Sequence, residues 1–133
     1  MIIVLDSSVG IEIVLSREKS KKFISLIKQA KKVISSDLYK IEIANVLWKY
    51  AKAGLLQPHE TNELLYLAQE LVDEYKDISE YNEEAMREAI RLNHSAYDML
   101  YFTLARRLGA TLLTLDKQLS ALCMESSVSI IDS

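Results

Sequence analysis

Cysteine, glycine and proline are scarce here: one Cys (Cys123), three Gly and one Pro in 133 residues. A lone cysteine excludes an internal disulfide and a thiolate metal cluster, and it fits a reducing cytoplasm. So few Gly and Pro residues, in a chain that is 50% hydrophobic, leave little room for linkers or disorder. Long apolar runs are missing as well. The opening MIIVL meets Asp6 after five residues and has no basic segment ahead of it, which fits neither a signal peptide nor a membrane span. The expectation is a cytoplasmic protein with no membrane partner. Excess positive charge is absent too: the formal net charge is −3, so a basic surface alone would not hold nucleic acid. A phosphate-bearing substrate remains compatible with that acidity where divalent cations occupy the carboxylates and reverse the local sign. The two histidines, His59 and His94, lie outside any HExxH or Cys/His spacing, and the chain has no P-loop, GxGxxG or GxSxG motif.

What is present alternates. IIVL at 2–5 reads as a strand buried on both faces, followed at once by a helix in SSVGIEIVLS. KSKKFISLIKQAKK sets Phe23, Ile24, Leu26 and Ile27 against lysines and is an amphipathic helix; VIS at 33–35 is a second strand. A helix over 37–53 is closed by Gly54, and Pro58 opens another that runs to about Tyr75. DIS at 77–79 is a third strand. Two helices follow, NEEAMREAIRLN and SAYDMLYFTLARRLG, the second closed by Gly109; ATLLTLD and SVSII are strands flanking a short helix from Lys117. Alternation of this kind predicts one α/β domain over residues 1–133, with a mostly parallel sheet covered by helices.

In such a sheet, ligands bind beyond the carboxyl ends of the strands. Asp6 ends the first predicted strand and Asp116 the fourth, each leading directly into a helix, where either acid alone would serve as an N-cap. Thr114, two residues before Asp116, shares its side of the strand. Glu42 heads a polar stripe with Asn45, Lys49 and Lys52 on an otherwise apolar helix, a pattern that also describes a solvated face. Asp98 falls in the first turn of its helix, three residues after Ser95, which resembles a capping box. The acids at 60, 63, 70, 73, 74, 83, 84 and 88 read as solvated helix faces.

LDSS at 5–8, Glu42 in IEIANVLW, Asp98 in SAYDMLYFTLARRLGA and TLDKQL at 114–119 resemble the successive acidic motifs of PIN-domain ribonucleases, most closely those of VapC-type toxins. The resemblance covers essentially the whole chain. It implies a three-layer α/β/α fold with a five-stranded mostly parallel sheet, and a pocket where Asp6, Glu42, Asp98 and Asp116 meet with Ser8 and Thr114 in support. Four clustered carboxylates repel one another until a cation enters, and all-oxygen donors suit Mg²⁺ or Mn²⁺. Asp6, Asp98 and Asp116 are the implied principal ligands, and Glu42 either binds through water or orients the attacking water. RNA is the implied substrate. The implied partners are a second copy of the chain and a cognate antitoxin that lays a basic side chain into the acidic pocket, with Tyr39, Trp48, Tyr50 and Tyr66 as candidates for either surface. A housekeeping RNA-processing nuclease without an antitoxin and a catalytically inert module of the same fold stay open as alternatives. A phosphoacceptor receiver domain fits less well: it wants its acceptor at the end of the third strand, and it gives Asp98 no role.

Overall fold

The computed structural model describes residues 1–131. The chain runs β1 (Ile2–Leu5), α1 (Ser7–Val14), α2 (Ser20–Gln29), β2 (Lys32–Ser36), α3 (Leu38–Lys52), α4 (Pro58–Glu70) and β3 (Glu74–Lys76). After a 3-10 turn over Ile78–Glu80 come α5 (Asn82–Leu92), α6 (Ala96–Leu108), β4 (Thr111–Leu113) and α7 (Lys117–Glu125). All strand pairs are parallel, in the order β3-β2-β1-β4. β1 is central, its Val4 paired with Ile34 on one side and Leu112 on the other.

Strand alternation divides the core in two. Val4, Ile34 and Leu112 face one cluster, built with Met99, Phe102 and Leu104 of α6 and Ala85 of α5. Ile3, Leu5, Val33 and Leu113 face the other, with Phe23 of α2 and Ile43 and Leu47 of α3. The result is the expected three layers, and the helix faces follow from crossover handedness. The chain steps from β1 to β2 to β3 in one direction, then returns past β1 to β4 in the other. Right-handed connections therefore put α1–α4 on one face and α5–α6 on the opposite face. This reversal makes the carboxyl edge between β1 and β4 a topological switch point, where a crevice opens. Gly10 lets α1 pack directly on α3, because a Cβ there would overlap the phenol oxygen of Tyr39.

Some boundaries differ from expectation. The third strand is Glu74–Lys76, not DIS: the Asp77 carboxylate accepts the Ser79 N–H (2.9 Å) and turns the chain into the 3-10 segment. α4 accordingly stops at Glu70 rather than near Tyr75. β4 ends at Leu113, so Thr114 and Asp116 lie beyond it. The expected fifth strand, SVSII, contributes a single parallel bridge, Leu112 to Ile130, so the sheet among the described residues has four strands. A three-residue β4 offers a fifth strand little to pair with, and Ser127 leaves α7 in a left-handed turn (φ 58°). Tyr39, a candidate surface aromatic, is fully buried and donates to the Ala68 carbonyl (2.6 Å), whereas Trp48 and Tyr66 are exposed. Among the described residues no helix is long and apolar enough to cross a membrane.

Candidate active site

Asp6 stands where β1 becomes α1, and its N–H continues the ladder by donating to the Leu113 carbonyl (3.1 Å). It occupies the N-cap position of α1, yet its side chain makes no capping bond. The carboxylate is 5% exposed and turns toward β4, where Oδ2 accepts Thr114 Oγ1 (2.5 Å) and Ser8 Oγ (3.0 Å). Both hydroxyls are held in turn: Thr114 Oγ1 accepts the Asp116 N–H and Ser8 Oγ the Leu115 N–H, each at 3.0 Å. The two supporting hydroxyls thus tie the end of β1 to the end of β4.

The other acids approach from the helices. Glu42, half-buried on α3, receives Tyr101 Oη (2.5 Å) and Ser7 Oγ (3.2 Å), both on Oε1. Ser7 Oγ also lies 3.3 Å from Asp6 Oδ1, so its one proton serves either acid. Asp98, in the first turn of α6, has His94 Nδ1 3.3 Å from Oδ2, and its own N–H donates to Ser95 Oγ (3.3 Å). Asp116 does cap: Oδ1 accepts the Leu119 N–H at 3.0 Å. A pattern runs through the set. In three of the carboxylates the protein ties down one oxygen (Asp6 Oδ2, Glu42 Oε1, Asp116 Oδ1) and, among the described residues, leaves its twin with a shared donor or none; Asp98 lacks such a donor, because His94 Nδ1 itself accepts the Ser95 N–H (3.0 Å).

Electrostatics links all four. Burial pushes the Asp6 carboxyl above the ordinary range, against the lowering effect of bonds from Thr114, Ser8 and Ser7. Glu42 is raised by burial first and then by the charges of Asp6 and Asp98, opposed by its bonds from Tyr101 and Ser7. Asp98 is raised by burial, then by Asp116 and Asp6, and His94 works the other way. Among the described residues no Lys or Arg forms an ion pair with any of these acids. Among the described residues the cluster therefore has no Lys or Arg counter-charge, and an all-oxygen donor set of this kind suits a hard divalent cation. Among the described residues no three His, Cys, Asp or Glu side chains close into a finished ligand cluster, so the acids share a field rather than a cage.

The six candidates of the sequence all lie at this edge. Three neighbours that the sequence does not assign to the site join them. Ser7 was legible in LDSS; Tyr101 lies one helical turn beyond Asp98, where its hydroxyl was hidden among core aromatics; His94 precedes the α6 cap. Conversely, Glu84 and Glu88 are not merely solvated, since they pair with Arg106 and Arg107 across α5 and α6.

The PIN domain family model matches residues 3–124. The chain belongs to the PIN-domain family. This PIN domain is 33% identical over 125 residues to Ribonuclease VapC3 of Pyrobaculum aerophilum, covering 90% of this chain and 93% of that protein. Its fold is shared with another solved Pyrobaculum aerophilum protein (TM-score 0.73, 24% identity, 90% of this chain and 82% of that one). It is shared too with VapBC2 from Rickettsia felis, solved bound to a DNA fragment from its promoter (TM-score 0.71, 14% identity, 100% and 99% covered).

Proposed function

We propose that residues 1–133 form a metal-dependent endoribonuclease, the toxin of a type II toxin–antitoxin pair, which hydrolyses RNA phosphodiester bonds with Mg²⁺ or Mn²⁺ at Asp6, Glu42, Asp98 and Asp116. The observation that carries this reading is the grouping of the four acids at the carboxyl edge of β1 and β4: Ser7 Oγ bridges Asp6 and Glu42, Thr114 Oγ1 links Asp6 to the Asp116 N–H, Asp98 feels the charges of Asp6 and Asp116, and among the described residues no Lys or Arg pairs with any of them. Membership of the PIN family and the likeness to Ribonuclease VapC3 support it.

In this mechanism Asp6, Asp98 and Asp116 would hold the cation, while Ser8 and Thr114 keep Asp6 in place. When bound, a divalent cation neutralises charge at the scissile phosphate and makes an associated water more acidic. Glu42 orients the attacking water through Oε2 and draws off its proton, helped by a position that already favours protonation. No imidazole is required for proton transfer.

The partners follow from the same chemistry. An antitoxin would neutralise the pocket with a basic side chain, competing with the cation, and the groove between α3 and α4 lined by Leu47, Trp48, Pro58 and Leu65 offers it, or a second copy of the chain, an apolar face. The protein is expected to act in the cytoplasm.

The test is cleavage of a mixed RNA pool by purified protein in Mn²⁺ or Mg²⁺ against EDTA, beside Asp98→Asn prepared identically. Metal-dependent cleavage lost in the variant is the expected result. Equal cleavage by both proteins, or none from the wild type on pools that include structured RNAs, would overturn the assignment.

A further inference from the structure

Tyr101 sits in mid-α6 with none of its surface exposed, beside Phe102, which is equally buried. A hydroxyl at that depth is a liability unless it finds a partner, and a plain phenyl ring would fill the core as well. The partner it finds is not the backbone. Its hydroxyl spans from α6 to α3 and donates to Glu42 Oε1 at 2.5 Å, the shortest of the bonds made to Glu42.

Glu42 needs such a restraint. Of the four acids it has the longest side chain, with three rotatable bonds, and it feels the repulsion of both Asp6 and Asp98. Its polar stripe continues outward through exposed Asn45 and Lys49. Left alone, the carboxylate would relax along that stripe toward solvent, where repulsion is screened. The two protein donors both take Oε1, which leaves Oε2 without a donor. The buried Tyr101 hydroxyl, the closer of the two donors and the one that reaches across from α6, thus anchors the carboxylate and, with Ser7, sets which oxygen it presents.

We propose that Tyr101 is a positioning residue, which holds Glu42 in the acidic crevice against the charges of Asp6 and Asp98 and directs Oε2 to the bound cation and its water. This rests on the cation-dependent reading above. Outer-shell partners of this kind usually change metal affinity or activity about 10- to 100-fold when removed.

The experiment is calorimetric titration of Mn²⁺ into the wild type, Tyr101→Phe, Glu42→Gln and the double variant, with circular dichroism to verify folding. Tyr101→Phe is expected to weaken Mn²⁺ binding about tenfold or more, and the double variant to bind no worse than Glu42→Gln alone. That pattern separates positioning from simple packing. Wild-type affinity in Tyr101→Phe, or an equal loss with and without Glu42, overturns the proposal. A wild type that binds no Mn²⁺ overturns the metal reading along with it, so the two failures are distinguishable.

Where Tyr101→Phe does not fold, 3-fluorotyrosine at position 101 keeps the hydroxyl. Its ¹⁹F resonance is then expected to shift with Mg²⁺ in the wild-type background and to stay fixed in Glu42→Gln. A resonance unmoved by Mg²⁺ when Glu42 is present overturns the proposal.

Discussion

Thr114→Val removes one oxygen and preserves shape, so it isolates what the hydroxyl does. In the folded protein that oxygen is fully buried, donates to Asp6 Oδ2 at 2.5 Å and accepts the Asp116 N–H at 3.0 Å. A hydrogen bond to a charged acceptor is worth about 1.5–3 kcal/mol, and an N–H left without its acceptor at a half-buried position adds about 1 kcal/mol. The extra methyl returns less than about 1 kcal/mol. The net loss where Asp6 is ionised is therefore about 2–3 kcal/mol, roughly 6–12 °C in Tm for a domain of this size. The loss depends on pH in a fixed direction. Thr114 favours the ionised form of Asp6, so its removal matters most where Asp6 is charged. As pH falls and Asp6 takes up a proton, the lost bond becomes a neutral one worth about 0.5–1.5 kcal/mol. Urea unfolding of both proteins in EDTA, at a series of pH values from the ordinary carboxylate range upward, measures the difference. A penalty below about 0.5 kcal/mol throughout, or one that falls as pH rises, is the opposite of what these bonds require.

Further outcomes follow from the same contacts. Because Asp6, Glu42 and Asp98 carry raised folded-state pKa values, the stability they contribute is complete below the ordinary carboxylate pKa and is lost as pH rises through their raised values. Glu74, Asp77 and Glu88 are lowered, so their contribution is lost on acidification, and the metal-free protein should be most stable at mildly acidic pH. Mn²⁺ at about a hundredfold over its Kd should add about 2.7 kcal/mol at neutral pH and flatten that decline; thermal melts across pH with and without Mn²⁺ measure both. Gly10→Ala should cost about 1–3 kcal/mol in denaturant unfolding, because its Cβ meets the Tyr39 phenol, whose hydroxyl is held by Ala68. Ser95→Ala should cost about 1 kcal/mol through the lost α6 cap and, by loosening the turn that carries Asp98, also reduce Mn²⁺ affinity.

The acids were legible because each breaks a pattern. Asp6 and Asp116 interrupt apolar runs where strands give way to helices, and Asp98 interrupts an apolar helix at its first turn. The short all-apolar β1 and the Gly-closed α6 were equally plain. Local hydrogen bonding decided what periodicity could not: Asp77 bonds Ser79 and ends the extended run before DIS becomes a strand. The register that reduces SVSII to one bridge is a long-range property. Tyr101 illustrates a different limit. In a helix of Met99, Leu100, Phe102 and Leu104 it reads as core, and it is core; only the fold shows that its hydroxyl lands on Glu42, 59 residues away in sequence.

Anomalous scattering from a crystal soaked in Mn²⁺ shows most directly whether the four carboxylates hold a cation at the β1/β4 edge. The expected result is a peak bounded by Asp6, Asp98 and Asp116, with Glu42 Oε2 facing it, and its disappearance in Asp98→Asn. A Mn²⁺ peak elsewhere on the surface, or a crevice empty at Mn²⁺ concentrations that support RNA cleavage, would contradict it.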